Sequence, residues 1–122
     1  MTTVMLRRGD QLPDFDAPTI EGGQFRYAEI WQHRNLVAMN TTASSPAVLA
    51  YVAELRARVA ALKPDNSTVV AVQNVSALPA SSATICDRWG EIVLVAPLPD
   101  HVAQWPTHED LVEWLNMVRY RC

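Results

Sequence analysis

Hydroxyl side chains gather where a short apolar run gives way to a predicted helix. They are Thr41, Thr42, Ser44 and Ser45, and Pro46 follows at the first helical position. Backbone N–H groups at a helix start favour anions, so this cluster could hold an anionic small molecule or a nucleophile. No histidine–acid pair stands beside it to activate a hydroxyl. Because serine followed by proline is good helix-capping chemistry, capping is the preferred interpretation.

The two cysteines are the other candidates for covalent chemistry. Cys86 and Cys122 lie thirty-six positions apart, so they form neither a Cys-x-x-Cys pair nor a disulfide framework. Cys86 falls inside a predicted central strand, where a free cysteine behaves as a small hydrophobe, and Asp87 beside it disfavours a thiolate. Cys122 is predicted to be a free thiol in a reducing cytosol, although pairing with a partner chain stays open.

The histidines carry no metal-binding pattern. His33, His101 and His108 lack the spacing of metal ligands, and the acidic residues near them are better interpreted as capping and turn residues. We therefore expect neither a metal nor a cofactor.

Composition narrows the class of protein. The 122 residues suit a single domain, 1–122, with one core, and 49% of them are hydrophobic. The net charge of −3, with no basic run, argues against nucleic acid and anionic membrane as partners. No apolar run is long enough to span a bilayer. The first ten residues lack the hydrophobic stretch of a signal peptide, so a cytoplasmic location is expected.

The pattern of apolar residues predicts an alternating α/β chain. An extended hairpin over 9–27 precedes a buried strand at 36–39 and a helix from Pro46 that stops before Pro64. One apolar stripe at spacings of four and three runs along this helix: Val48, Val52, Leu55, Val59 and Leu62. A second buried strand covers 68–75, and a hairpin over 84–96 turns at Gly90. A final helix after Thr107 carries an apolar face that comprises Leu111, Trp114, Leu115 and Val118.

Three local motifs occur in a meaningful order. They are Gly9-Asp10-x-x-Pro13-Asp14-Phe15-x-Ala17-Pro18, the strand and helix of 35–55, and Ile85-Cys86-Asp87-Arg88-Trp89-Gly90-Glu91-Ile92-Val93. Together they resemble the peroxiredoxin-like branch of the thioredoxin fold, the alkyl hydroperoxide reductase/thiol-specific antioxidant (AhpC/TSA) and redoxin proteins. The resemblance implies a three-layer sandwich around a mixed sheet, with a βαβ unit followed by a ββα unit. The N-terminal hairpin leads into it.

The chain departs from that branch where the chemistry should be. Thioredoxin-like proteins place Cys-x-x-Cys or a peroxidatic cysteine at the helix start, whereas this stretch reads Ser45-Pro46-Ala47-Val48 and no cysteine precedes residue 86. Their cis-proline position falls on Ser81. The segment 76–83 is too short for the usual middle helix, and we expect it to cross the carboxyl end of the first buried strand and partly cover the former active site.

These departures make Thr41, Thr42, Ser44, Ser45, Pro46, Val48 and Ser81 the positions of a degenerate active site. A hydroxyl cannot form a disulfide or pass through a sulfenic acid. The preferred function is a non-catalytic binding or assembly module, with a protein partner or a homodimer. Two alternatives stay open: an antioxidant oxidoreductase that uses Cys86 or Cys122, and a small-molecule binder at the helix start.

Overall fold

The secondary structure follows the predicted order of elements. The computed structural model describes residues 6–62 and 66–119. Its strands are β1 (Asp16–Pro18), β2 (Gln24–Arg26), β3 (Asn35–Thr41), β4 (Ser67–Gln73), β5 (Ser82–Cys86) and β6 (Ile92–Pro97). The helices are α1 (Pro46–Ala60) and α2 (His108–Arg119), and single 3-10 turns occupy Tyr27–Glu29 and Val102–Gln104.

Four strands form one mixed sheet in the order β4-β3-β5-β6. Strand β3 pairs parallel to β4, with Leu36 opposite Thr68, and antiparallel to β5, with Leu36 opposite Cys86. Strand β6 continues the sheet antiparallel to β5. Strands β1 and β2 form a separate hairpin, as predicted. Because α1 joins the parallel pair and α2 follows β6, the sheet has the predicted βαβ and ββα units.

Helix α1 shows the predicted cap and apolar stripe. Ser45 is the N-cap, its hydroxyl oxygen accepts from the Val48 N–H at 3.4 Å, and Pro46 opens the helix. The helix ends at Ala60, and Pro64 lies outside the described residues. The predicted members Val48, Val52, Leu55 and Val59 are buried, whereas Leu62, beyond the end of the helix, is partly buried. Tyr51 is a further buried residue of the helix that the spacing did not predict.

Both α-helices pack on one face of the sheet. One hydrophobic cluster joins the helical Leu55 and Leu115 to Met39 and Ile85 of the sheet. Trp114, predicted to be buried, is only half-buried at the rim of this layer, because it lies towards the solvent side of α2 under the guanidinium of Arg8 at 5.9 Å.

The opposite face of the sheet is covered by the β1–β2 hairpin and irregular chain. A second cluster joins Leu36 and Val72 of the sheet to Phe25 of the hairpin and to Leu78. The fold is therefore the predicted three-layer sandwich, and no α-helix stands in its third layer among the described residues. The connector, defined here as residues 74–81 between β4 and β5, contains only turns and bends, as its length predicts. None of the described helices could cross a membrane.

Candidate functional site

The start of α1 is an exposed loop above a buried strand end. Thr41 is buried, and its hydroxyl donates to the Val72 carbonyl oxygen at 3.2 Å. Thr42, Ser44 and Ser45 are exposed. Because the Ser45 hydroxyl accepts from the Val48 N–H, the predicted capping role is confirmed.

The connector is fastened to the carboxyl end of β3 by one side chain. The Asn40 amide nitrogen donates to the carbonyl oxygens of Val75 (3.0 Å) and Pro79 (3.1 Å), and its Oδ1 accepts from the Val75 N–H at 2.9 Å. The side chain is buried, with 1% of the residue exposed. The connector thus closes over Asn40 but leaves Ser44 and Ser45 in solvent, so it covers the strand end and not the helix start.

Ser81, at the predicted cis-proline position, directly precedes β5. Its backbone is left-handed, with φ +47°, and its carbonyl oxygen accepts from the Leu98 N–H at 2.7 Å. Proline fixes φ near about −65°, so this loop has a shape that proline cannot adopt. A proline at position 81 would therefore require this loop to take another shape.

Cys86 lies at the other end of the sheet from the helix start. It pairs with Leu36 at the beginning of β3, about 16 Å along the strand from Thr41 at about 3.3 Å per residue. It is fully buried, and burial, followed by the nearby Asp87 carboxylate, raises the pKa of the Cys86 thiol to about 12. A thiolate there is doubly disfavoured. Cys122 lies outside the described residues.

His108 packs against Tyr51 of α1 and has a structural role. Its ring stacks on Tyr51 at 4.2 Å between centroids, and its Nε2 is 3.0 Å from the Tyr51 carbonyl oxygen. The Tyr51 hydroxyl donates to the Pro106 carbonyl oxygen at 2.6 Å, and burial, then Asp110, raises the pKa of Tyr51 to about 12. Within residues 6–62 and 66–119, no three His, Cys, Asp or Glu side chains are grouped as metal ligands would be.

The sequence matches no family model and no curated protein. Its structure is similar to a yeast mitochondrial 1-Cys peroxiredoxin, with TM-score 0.68, 12% identity and coverage of 94% of this chain and 77% of that one. For a peroxiredoxin-like protein from Aquifex aeolicus the TM-score is 0.66 at 11% identity, with coverage of 93% of this chain and 88% of that one. For a thiol:disulfide interchange protein from Chlorobium tepidum the TM-score is 0.62 at 11% identity, with coverage of 92% of this chain and 97% of that one. The chain has the thioredoxin fold. The fold class predicted from the sequence is confirmed.

Within this thioredoxin fold, a second feature was not predicted from the sequence. A cavity of about 330 Å³ lies at the amino end of β3, opposite the helix start, and its lining is formed by Gln11, Leu12, Asp14, Tyr27, Ala28 and Trp31. We call it the Tyr27 cavity. These residues come from the two segments that flank the β1–β2 hairpin, and the pairing of its strands brings the segments together.

Proposed function

We propose that this chain is a non-catalytic thioredoxin-fold protein of peroxiredoxin-like type that works as a binding or assembly module. The observation that carries the proposal is the start of α1, where Ser45-Pro46-Ala47-Val48 replaces the thiol and the Ser45 oxygen is used as a helix cap. Oxygen at this position can be neither oxidised to a sulfenic acid nor joined in a disulfide.

The described cysteine does not offer a replacement thiol. Reactive cysteines are exposed and electropositive, whereas Cys86 is fully buried and a carboxylate stands beside it. It also lies at the far end of β3, where the N-terminus of α1 cannot stabilise a thiolate. These facts count against the antioxidant alternative as far as Cys86 is concerned.

Peroxide consumption tests the absence of catalysis. The protein should consume hydrogen peroxide in the presence of a dithiol reductant no faster than buffer does. Cys86→Ala and Cys122→Ala variants serve as controls, one for each thiol. Turnover by the parent protein that disappears in either variant would restore the antioxidant function and contradict the proposal.

The binding role has a candidate contact residue in Trp89. This ring is 50% exposed at the tip of the β5–β6 hairpin, and the Arg88 guanidinium lies over it at 5.5 Å. The tip is held rigid, because the Trp89 carbonyl oxygen accepts from the Gln11 amide at 2.7 Å and from the Trp31 indole at 3.3 Å. Preorganised tryptophan and arginine side chains are typical of interface hot spots.

Light scattering and affinity capture from the source cell test this role. We expect a dimer, or a captured partner, that is lost in Trp89→Ala and kept in Leu49→Ala, a second exposed apolar residue on α1. A strictly monomeric protein without a Trp89-dependent partner would count against the module. A cytoplasmic location stays a prediction.

A further inference from the structure

Tyr27, which lines the Tyr27 cavity, carries a buried hydroxyl without a partner among the residues that the structure describes. Tyr27 is 3% exposed, and its hydroxyl oxygen makes no hydrogen bond with any residue that the structure describes. Burying a hydroxyl without a hydrogen bond costs free energy. Most buried hydroxyls are paired for that reason, so this one points to a group that the protein itself does not supply.

The surroundings keep that hydroxyl a hydrogen-bond donor. Burial, with smaller contributions from Cys86, Asp87 and Asp14, raises the pKa of Tyr27 well above its usual value. The phenol therefore stays protonated at any physiological pH and can donate to a ring nitrogen or a carbonyl oxygen. The nearby carboxylates also make the region unfavourable for an anion.

The cavity walls are apolar and held in place. Leu12, Ala28 and Trp31 line the cavity, and aromatic surfaces of this kind take planar rings. The Leu12 N–H donates to the Gly90 carbonyl oxygen at 2.8 Å, and Trp31 is fixed by its indole bond to the hairpin tip. A volume of about 330 Å³ lies at the small end of ligand pockets, about 300–1,000 Å³, which suits a compound of one or two rings.

Gln11 acts as a movable cover. A Cβ on Gly90 would collide with the Gln11 amide nitrogen and lie 3.0 Å from the Tyr27 hydroxyl oxygen, so these two polar groups stand close together. Gln11 is an exposed residue whose amide donates to the Trp89 carbonyl oxygen at 2.7 Å, so its rotation would have to break that bond, while the Trp31 indole would still hold the hairpin tip. Rotation of Gln11 would open the hydroxyl to a ligand.

We propose that the Tyr27 cavity binds a small, planar, uncharged N-heteroaromatic ring that carries an amino group. A ring nitrogen accepts from the Tyr27 hydroxyl, the amino group donates to the Asp14 carboxylate, and Trp31 contacts the ring. The site is separate from the degenerate active site, at the opposite end of β3, and does not depend on the function proposed above.

The test uses two purine bases of nearly equal size. Adenine has a ring acceptor and an amino donor, whereas hypoxanthine replaces the amino group with a carbonyl oxygen that would face Asp14. In a titration followed by ¹H–¹⁵N NMR, adenine should give saturable shifts at residues 11–14 and 27–31, and hypoxanthine should bind at least about fivefold more weakly. No saturable shift with adenine, or equal binding of the two bases, would overturn the proposal.

The variant Tyr27→Phe separates a ligand role from a structural one. It removes only the unpartnered hydroxyl, so the folded protein should keep or gain stability, while adenine binding weakens at least about fivefold. Asp14→Asn should weaken adenine binding as well, and Ser45→Ala, at the other end of the sheet, should leave it unchanged. If Tyr27→Phe binds adenine as tightly as the parent, or if it destabilises the fold, the hydroxyl has another task and the proposal is wrong.

Discussion

Asn40 is the side chain through which the connector is joined to the sheet, and its replacement is a direct test of that joint. Asn40→Ala removes three hydrogen bonds and leaves the Val75 N–H without its partner, whereas the carbonyl oxygens of Val75 and Pro79 each keep a second donor, the Leu78 N–H and the Ser82 hydroxyl. At about 1 kcal/mol net for each bond, the free energy of unfolding should fall by about 3 kcal/mol. For a domain of this length that corresponds to a fall in Tm of about 10 °C.

Chemical denaturation measures the loss of global stability in Asn40→Ala, and amide hydrogen exchange measures the local loosening of the connector. Exchange should accelerate at Val75 and Leu78 in the connector, while amides in the middle of β3 change only with the global stability. Gln73→Ala is the matched control, since this exposed amide at the same end of the sheet donates one bond to the Thr42 carbonyl oxygen. Gln73→Ala should lower the free energy of unfolding by less than about 0.5 kcal/mol.

Asn40→Asp adds a pH dependence to the same test. The introduced carboxylate keeps the bond from the Val75 N–H but faces two carbonyl oxygens, so its folded-state pKa is raised above the unfolded value of about 3.9. The folded state then holds more protons, and the destabilisation grows as the pH rises from about 4 through that folded-state pKa. An Asn40→Ala loss below about 1 kcal/mol, or unchanged exchange in the connector, would refute this account of the joint.

Three further changes test other parts of the structure. Ser45→Ala should lower the free energy of unfolding by about 0.5–1 kcal/mol through loss of the N-cap, whereas Ser44→Ala should not, as measured by denaturation in urea. Gly90→Ala, at φ +86° and in crowded surroundings, should lower the free energy of unfolding more than Gly22→Ala does, at φ +100° in open space. For Gly22→Ala only about 1–2 kcal/mol of backbone strain is expected. Equal losses of stability in the two variants would contradict the role given to crowding around Gly90. Since its thiol pKa is raised from 9.0 to about 12, Cys86 binds its proton more tightly in the folded state, so stability should fall by up to about 1.4 kcal/mol per pH unit from pH 9 upwards. Cys86→Ala should remove that slope between pH 9 and pH 10 in denaturation curves, because above pH 10 the raised pKa values of Tyr27 and Tyr51 add a slope of the same sign. The native protein should leave this thiol unmodified by a disulfide reagent at pH 8.

Local signals in the sequence were enough to predict the regular elements. The serine–proline cap and the spacing of four and three residues define α1, and Gly90 marks the β5–β6 turn with a φ of +86°. Both signals act within a few residues, so tertiary contacts did not overturn them.

Features that depend on distant contacts could not be predicted in this way. Ser81 takes a left-handed φ that single sequences assign to glycine or asparagine, and its carbonyl is held by Leu98 from the far end of β6. The Tyr27 cavity depends on contacts such as that between Gln11 and Trp89, seventy-eight positions apart. The spacing of residues in the sequence does not reveal such long-range contacts, because they form only when the sheet assembles.

The backbone at Ser81 also bears on how such a protein can evolve. A cysteine introduced at position 45 would place sulfur at the start of α1, yet Ser81 would still stand at φ +47°, a conformation closed to proline. Sulfur and a loop shaped for proline would have to arise together, and the loop is itself anchored at both Asn40 and Leu98. A single substitution would therefore not supply both sulfur at the start of α1 and a loop shaped for proline.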